Sequence, residues 1–340
     1  MVSSSLDPSE RRDLEHALDR LEERLETAPP GLHAFGGRAD PAALAGSGLP
    51  EGAAILWAKY DGVELMSGEA RMLPLAEIPE ATADAAQEGL LRDGDLVVGE
   101  RGRLLFVLPE DPWAEGASVV GVDEEGDRVP EASSVMHLLL GLLGEISVLY
   151  DDHGEFHDAL IDEWGDLEPS AHRKLLRRRL DFDPIAPGPR LQLARLLRAA
   201  GELRGAAKEI DKVLHYAPEF SAAHFERGQV LRGQGKLEAA RRSFEKAAEH
   251  AIDPVNAAAC EAWAARVTRD GGGDSSQADA HAAAVLRRRP DYAQHQLVGA
   301  RARLERRDRD AAVEMVALGL AVAPRHLELL GLRRELEKQA

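Results

Sequence analysis

The stretch PEFSAAHFERGQVLRGQGKLEAARRSFEKAAEHAIDP, residues 218–254, decides the fold of the C-terminal half. Counted from Ser221, the eighth and twentieth residues are small, Gly228 and Ala240, and the twenty-fourth and twenty-seventh are Phe244 and Ala247. Small side chains at the first two positions let two antiparallel helices cross closely, and larger apolar ones fill the space between successive pairs. The bracketing prolines belong to a series, Pro218, Pro254, Pro290 and Pro324, spaced 36, 36 and 34 residues apart. A period of this size marks a repeat architecture, in which one hairpin of helices cannot bury both faces and must stack on the next.

The other units carry the same pattern. The first gives Ala194, Ala206, Ile210 and Val213, and the fourth, counted from Ala293, gives Ala300, Ala312, Val316 and Gly319. The third is degraded. Cys260, Trp263, Ala264 and Val267 stand at helical spacing, the turn segment Asp270 to Ser276 carries three consecutive glycines, and Ala278, Ala282 and Val285 resume the 3.6-residue period. Beyond Pro324, Leu327, Leu329, Leu330, Leu332 and Leu336 predict a capping helix. From about Pro187 onward the sequence resembles the tetratricopeptide-repeat family, whose unit is about 34 residues.

That resemblance implies a superhelix with a trough lined by the first helix of each pair, holding a peptide or a partner helix. By the family's pattern the trough positions are the second, fifth, ninth and twelfth of each unit. Here they include Leu191, Arg195, Arg198, Phe225, Gln229, Arg232, Leu297 and Arg301. Guanidinium forks grip carboxylates in pairs while Leu and Phe add apolar area, so the set suits an acidic segment. The alternative leaves these arginines simply solvated. One subfamily grips chaperone C-termini with Lys and Asn, but Leu191, Arg195 and Glu226 stand at those places and the clamp is not matched.

The N-terminal half is a different object. Residues 1–170 hold 11 Lys and Arg against 37 Asp and Glu, a balance of −26, while residues 171–340 hold 31 against 23, a balance of +8. An acidic half repels phosphates and is unsuited to nucleic acid. A helix is predicted from Asp7 to Ala28, capped by Asp7 with Glu10, carrying Leu14, Leu21 and Leu25 on one stripe and ended by Pro29, Pro30 and Gly31. Leu96–Val98 and Leu104–Leu108 flank a turn at Arg101, Gly102 and Arg103, as in a hairpin. Val119, Val120 and Val122 form another strand closed by Asp123 to Asp127, and a helix from Ser133 to Tyr150 finishes an α+β unit.

The order of these features resembles the SUKH superfamily of bacterial immunity proteins and a yeast cell-wall regulator. The residues that carry the likeness are Leu49 and Pro50, then Trp57, Tyr60, Asp61 and Gly62, then Asp123 to Gly126 ahead of Ala132, Ser133 and Ser134. It implies an antiparallel sheet with helices and a domain that covers a partner, in many members a toxin. An acidic face speeds encounter with a basic partner.

The sequence lacks the parts that chemistry needs: no Gly-rich phosphate loop, no GxSxG and no HExxH occur. His153 and His157, within Asp151 to Asp158, are four apart, but Gly154 lies between them and a structural linker is the favoured reading over a metal-dependent hydrolase. Cys260, the single cysteine, reads as buried packing. The basic run Arg173, Lys174, Arg177, Arg178 and Arg179 reads as the solvated face of a connecting helix, docking against the acidic residues of Asp151 to Glu168. No run is long enough to span a membrane and the start lacks a secretory pattern, so a cytoplasmic location is expected.

The expected organisation is therefore an N-terminal helix over 1–30, a SUKH-like α+β domain over 31–150, a helical connector over 151–186, four all-α repeats over 187–325 and a cap over 326–340. The expected function is protein binding without catalysis or cofactor, with an acidic peptide in the repeats and a basic protein at the acidic domain. An immunity-type protein is its sharpest form, and a signalling or assembly adaptor the alternative.

Overall fold

The computed structural model describes residues 7–29, 31–163 and 165–338. Pro30 of the first helix stop and the last two residues of the expected cap lie outside them. Packing divides the chain into two units, 1–196 with 211–218, and 197–210 with 219–340.

In the first unit α1, Pro8–Thr27, starts at the expected cap: the Asp7 carboxylate accepts the Ser9 N–H at 2.7 Å and Glu10 accepts the Asp7 N–H at 3.3 Å. These bonds satisfy donors that a helix start otherwise leaves open. Seven strands follow, β1 (His33–Phe35), β2 (Val63–Leu65), β3 (Ala70–Met72), β4 (Leu96–Arg101), β5 (Leu104–Leu108), β6 (Val119–Val122) and β7 (Arg128–Ala132). They form one antiparallel sheet in chain order. The hairpin expected around Gly102 is β4–β5, with Arg101 paired to Leu104 and Gly102 at φ +56°.

Five more helices complete the sheet region and its cover: α2 (Pro41–Gly46), α3 (Glu51–Trp57), α4 (Ile78–Gln87), α5 (Pro112–Glu115) and α6 (Val135–Leu149). The apolar run that sequence reading assigns to a core helix is α6. Ser134 caps it through the His137 N–H at 3.1 Å, and Met136, Leu138, Leu139, Leu140, Leu142 and Ile146 are buried around its circumference. They share one core with Val97, Val98, Phe106, Val107, Val119, Val120 and Val122 of the sheet and with Leu21 of α1. Each such side chain contributes about 1.5–3 kcal/mol relative to exposure.

One expectation is corrected in α7, Pro169–Phe182. Lys174 and Arg177 are exposed, but Arg179 is not on a solvated face. Its guanidinium meets Glu131 of β7 at 2.5 Å and Glu145 of α6 at 3.6 Å, and Glu145 also meets Arg101 at 2.7 Å. Burial opposes the charge on Arg179, and Glu131 and Glu145 more than restore it, so its pKa is raised. The reason is register: Arg179 continues the stripe of Ala171 and Leu175, which is buried.

The division between units cuts α8 (Pro187–Ala199) and α9 (Leu203–Tyr216). The second unit is otherwise helical throughout: α10 (Ser221–Gly233), α11 (Leu237–His250), α12 (Pro254–Asp270), α13 (Ser275–Arg288), α14 (Tyr292–Glu305), α15 (Arg309–Val322) and α16 (Leu327–Lys338). Hairpins α10–α11, α12–α13 and α14–α15 pair as the proline spacing predicts. Gly228 is where α10 and α11 cross: a Cβ there would sit 2.5 Å from the Phe244 ring, which is fully buried. Ala240 and Ala264 are fully buried too.

The third and fourth hairpins depart from a regular stack. α12 packs against α11 and α13 and also against α15, and it is buried nearly all round. Its sequence allows this because alanines Ala257, Ala258, Ala262, Ala264 and Ala265 leave room on more than one side. α15 carries two apolar faces. Ala312, Val316 and Leu320 join α14 and α16 in one cluster, while Leu318 and Val322 join Phe244, Trp263 and Val267 in another.

Candidate partner-binding site

Phe225 and Arg232, which sequence reading places on a first helix, both meet Trp263 of α12. The indole stacks on Phe244 with centroids 5.7 Å apart and meets Phe225 edge-on at 6.4 Å. Over the same ring lie two guanidiniums, Arg232 at 4.4 Å and Arg266 at 5.6 Å from the centroid. A cation over an indole is attracted by the ring quadrupole, and partial desolvation strengthens it. The Arg232 side chain is 30% exposed and pairs with Glu314 at 3.2 Å. Burial and the nearby positive charges of Arg266 and Arg198 hold Arg232 below the ordinary guanidinium range, against the pull of Glu314. Each of the three arginines has a carboxylate partner, Arg266 meeting Asp270 at 3.4 Å and Arg198 meeting Glu226 at 2.8 Å.

The eight predicted residues divide by environment. Leu191 and Gln229 are buried, and Leu297 is fully buried in the α14–α16 cluster. Phe225 is half-buried against the core beside Trp263, and Arg198 and Arg232 are half-buried in ion pairs. Arg195 and Arg301 are exposed, Arg301 pairing with Glu328 of α16 at 3.0 Å. Leu191 and Arg195 belong to the first unit and the other six to the second. Sequence reading missed Trp263, Arg266 and Arg269 as members of this face, and Glu314 as their counter-charge. The signal available was α15, whose apolar residues fall on two faces where an outer repeat helix needs one.

The other candidate sites are committed to structure. Asp151 accepts the His153 N–H at 2.8 Å and the Glu155 N–H at 2.9 Å, Gly154 has φ +81°, and Tyr150 bridges Phe156. Those two backbone bonds lower the Asp151 pKa and build a turn. Among the described residues no His, Cys, Asp and Glu gather into a group fit for a metal ion. A small recess in the first unit is lined by Glu131, His137, Arg179 and Asp183. Its polar groups are engaged, with Asp183 accepting the Ser133 N–H at 2.7 Å and the His137 Nδ1 lying 2.9 Å from the Ser134 hydroxyl. Cys260 is buried, and burial, with Glu261 nearby, pushes its thiol up to about 12, far from a nucleophile's range. Among the described residues no helix is long and apolar enough to cross a membrane.

Comparison with known proteins bears on the helical part. Residues 191–257 match the sequence model of the tetratricopeptide repeat. No curated protein matches the chain. Among solved structures, YrrB, described as a TPR protein with an unusual peptide-binding site, is 17% identical over 47% of this chain and 97% of its own, with a TM-score of 0.23. TTC0263, a thermophilic TPR protein of Thermus thermophilus, is 20% identical over 49% and 90%, with a TM-score of 0.34. Pseudomonas aeruginosa pilF is 17% identical over 59% and 81%, with a TM-score of 0.35. Family match and the recurring small and apolar positions agree over residues 191–257, which carry the tetratricopeptide repeat, and the helical hairpins continue beyond them to α16.

Proposed function

We propose that this chain is a non-enzymatic protein-binding molecule of the cytoplasm whose repeats hold an acidic segment of a partner. Of the residues at the repeat's trough positions in the second unit, Arg198, Phe225, Arg232 and Arg301 would meet the partner, while Gln229 and Leu297 are buried behind them. Leu191 and Arg195 hold equivalent repeat positions in the first. The observation that carries this reading is Arg232, stacked on Trp263, part-exposed and crowded by other arginines. A guanidinium so placed gains more from a second carboxylate than a solvated one does. Affinity capture from the native cell, read by mass spectrometry, tests it with Arg195, Arg198 and Arg232 changed to Glu. A partner recovered with the native protein and lost with the variant is the expected result. The same proteins recovered by both would overturn it.

In its sharper form the first unit is a SUKH-type domain and the molecule an immunity-type protein that covers a basic toxin. Three features support this: the −26 balance over residues 1–170, the buried Trp57, whose Nε1–H donates to the Leu73 carbonyl at 2.9 Å, and the Asp61–Gly62 turn. In that turn Asp61 accepts the Leu75 N–H at 2.6 Å and Gly62 has φ +94°. Co-expression with candidate toxins should restore growth, and a lack of both protection and complex would remove this form. The opposite charges of the two halves also support an adaptor with two partners. That reading expects each half to retain a different captured protein when the other is mutated.

A further inference from the structure

The face built on Trp263 is already in contact with a helix of its own chain, and the contacts are those a ligand would make. Arg232 meets the Glu314 carboxylate at 3.2 Å, Arg266 donates to the Glu314 main-chain carbonyl at 3.1 Å, and Arg269 donates to the Ala321 carbonyl at 3.0 Å. Leu318 and Val322, four and eight residues beyond Glu314, complete the cluster around Trp263 and Phe244. Two of the three guanidinium bonds thus read helix backbone and one reads a carboxylate. What the face demands of an occupant is a helix with an acidic residue followed by apolar residues four and eight places on. Side chains at i, i+4 and i+8 lie along one side of a helix.

We propose that the α10–α12 face is a receptor for an acidic amphipathic helix of a partner, and that α15 is its resident occupant. The inference rests on the protein-binding reading above and adds to it the shape of the partner and a competitor in the same chain. Three observations favour it over simple packing. Helices α14, α15 and α16 have a core of their own, Ala293, Leu297, Ala300, Val316, Leu320, Leu329 and Leu336, so they can move as a body without exposing it. The chain between α13 and α14 is short, residues 289–291, and can serve as the hinge. With α15 gone, Arg232 would lose Glu314 while keeping the positive charges of Arg198 and Arg266 beside it, so the vacated face selects an anionic replacement. A partner helix must outcompete a tethered one, whose effective concentration is high, and only a helix offering more contacts than α15 succeeds.

The test uses the full chain and a fluorescein-labelled peptide of residues 307–324, the segment containing α15, with binding read by anisotropy. In the double variant Glu314→Gln, Leu318→Ala the resident helix is weakened, and the peptide should bind at least ten-fold more tightly than to the native chain. Adding Arg232→Glu to that variant should abolish binding, as should a peptide carrying Gln at position 314. Should the double variant lose its native circular dichroism, the native chain supplies the answer by hydrogen exchange. There α14–α16 should exchange at least ten-fold faster than α11–α13. Equal peptide affinities for variant and native chain, indifference to Arg232, or uniform exchange across α11–α16 would each overturn the proposal. If the peptide binds as expected but cellular capture recovers no Arg-dependent partner, the receptor stands and the protein-binding role falls.

Discussion

At the scale of single residues, Arg179 carries more of the first unit than its place in a basic run suggests. Replacing it with alanine leaves Glu131 and Glu145 buried without their shared cation. Breaking a buried pair by removing one partner costs about 3–5 kcal/mol, so Arg179→Ala should lower the urea midpoint accordingly, while Lys174→Ala, exposed on the same helix, should leave it nearly unchanged. The run reads as uniformly solvated because charge is scored residue by residue. Only the stripe Ala171, Leu175, Arg179 shows that one of its members points inward. Cys260 makes the opposite case, since its apolar neighbours on α12 announce its burial. The native thiol should resist iodoacetamide at pH 8 and react once the protein is unfolded. Its folded pKa of about 12 lies above the free value of about 8.5, so the folded state holds its proton longer. The stability it confers is intact below about pH 8 and lost as pH rises through that interval. Cys260→Ala should flatten the decline in melting temperature measured between about pH 8 and 10.5.

At the scale of elements, the crossing of α10 and α11 tests the packing rule from which the repeats are read. Gly228→Ala gains about 1 kcal/mol of helix propensity. It also drives a methyl group into the Phe244 ring, which has no free side to retreat to, and overpacking of this kind costs about 1–3 kcal/mol. A net loss of about 1 kcal/mol is therefore expected in chemical denaturation, and a gain would contradict the crossing. Elements with long periodic patterns, such as α1, α6, α10 and α11, are legible in the sequence because their apolar spacing and caps agree. β1, β2 and β3 are not, since three residues each are too few to show alternation. The position of α15 is hidden for another reason. Val316, Ala317, Leu318, Gly319, Leu320, Ala321 and Val322 are apolar or small without a break, and a continuous run does not say which neighbour each face will find. Of the candidate site, the arginines and Phe225 are therefore readable from repeat position, whereas Trp263, Arg266 and Glu314 require the packing of a non-adjacent helix.

At the scale of the whole molecule, the two halves differ in charge by sign, which gives them different long-range fields. A partner that binds the arginine face through carboxylates should dissociate faster as salt rises, because exposed pairs are screened within about 10 Å at 0.1 M. The most direct measurement of where binding occurs is hydrogen exchange of the full chain with and without the partner captured through Arg198 and Arg232. Slower exchange in α10 and α12 is expected on binding, together with faster exchange in α14–α16 as α15 is displaced. Protection confined to β1–β7, with α10–α16 unchanged, would contradict it.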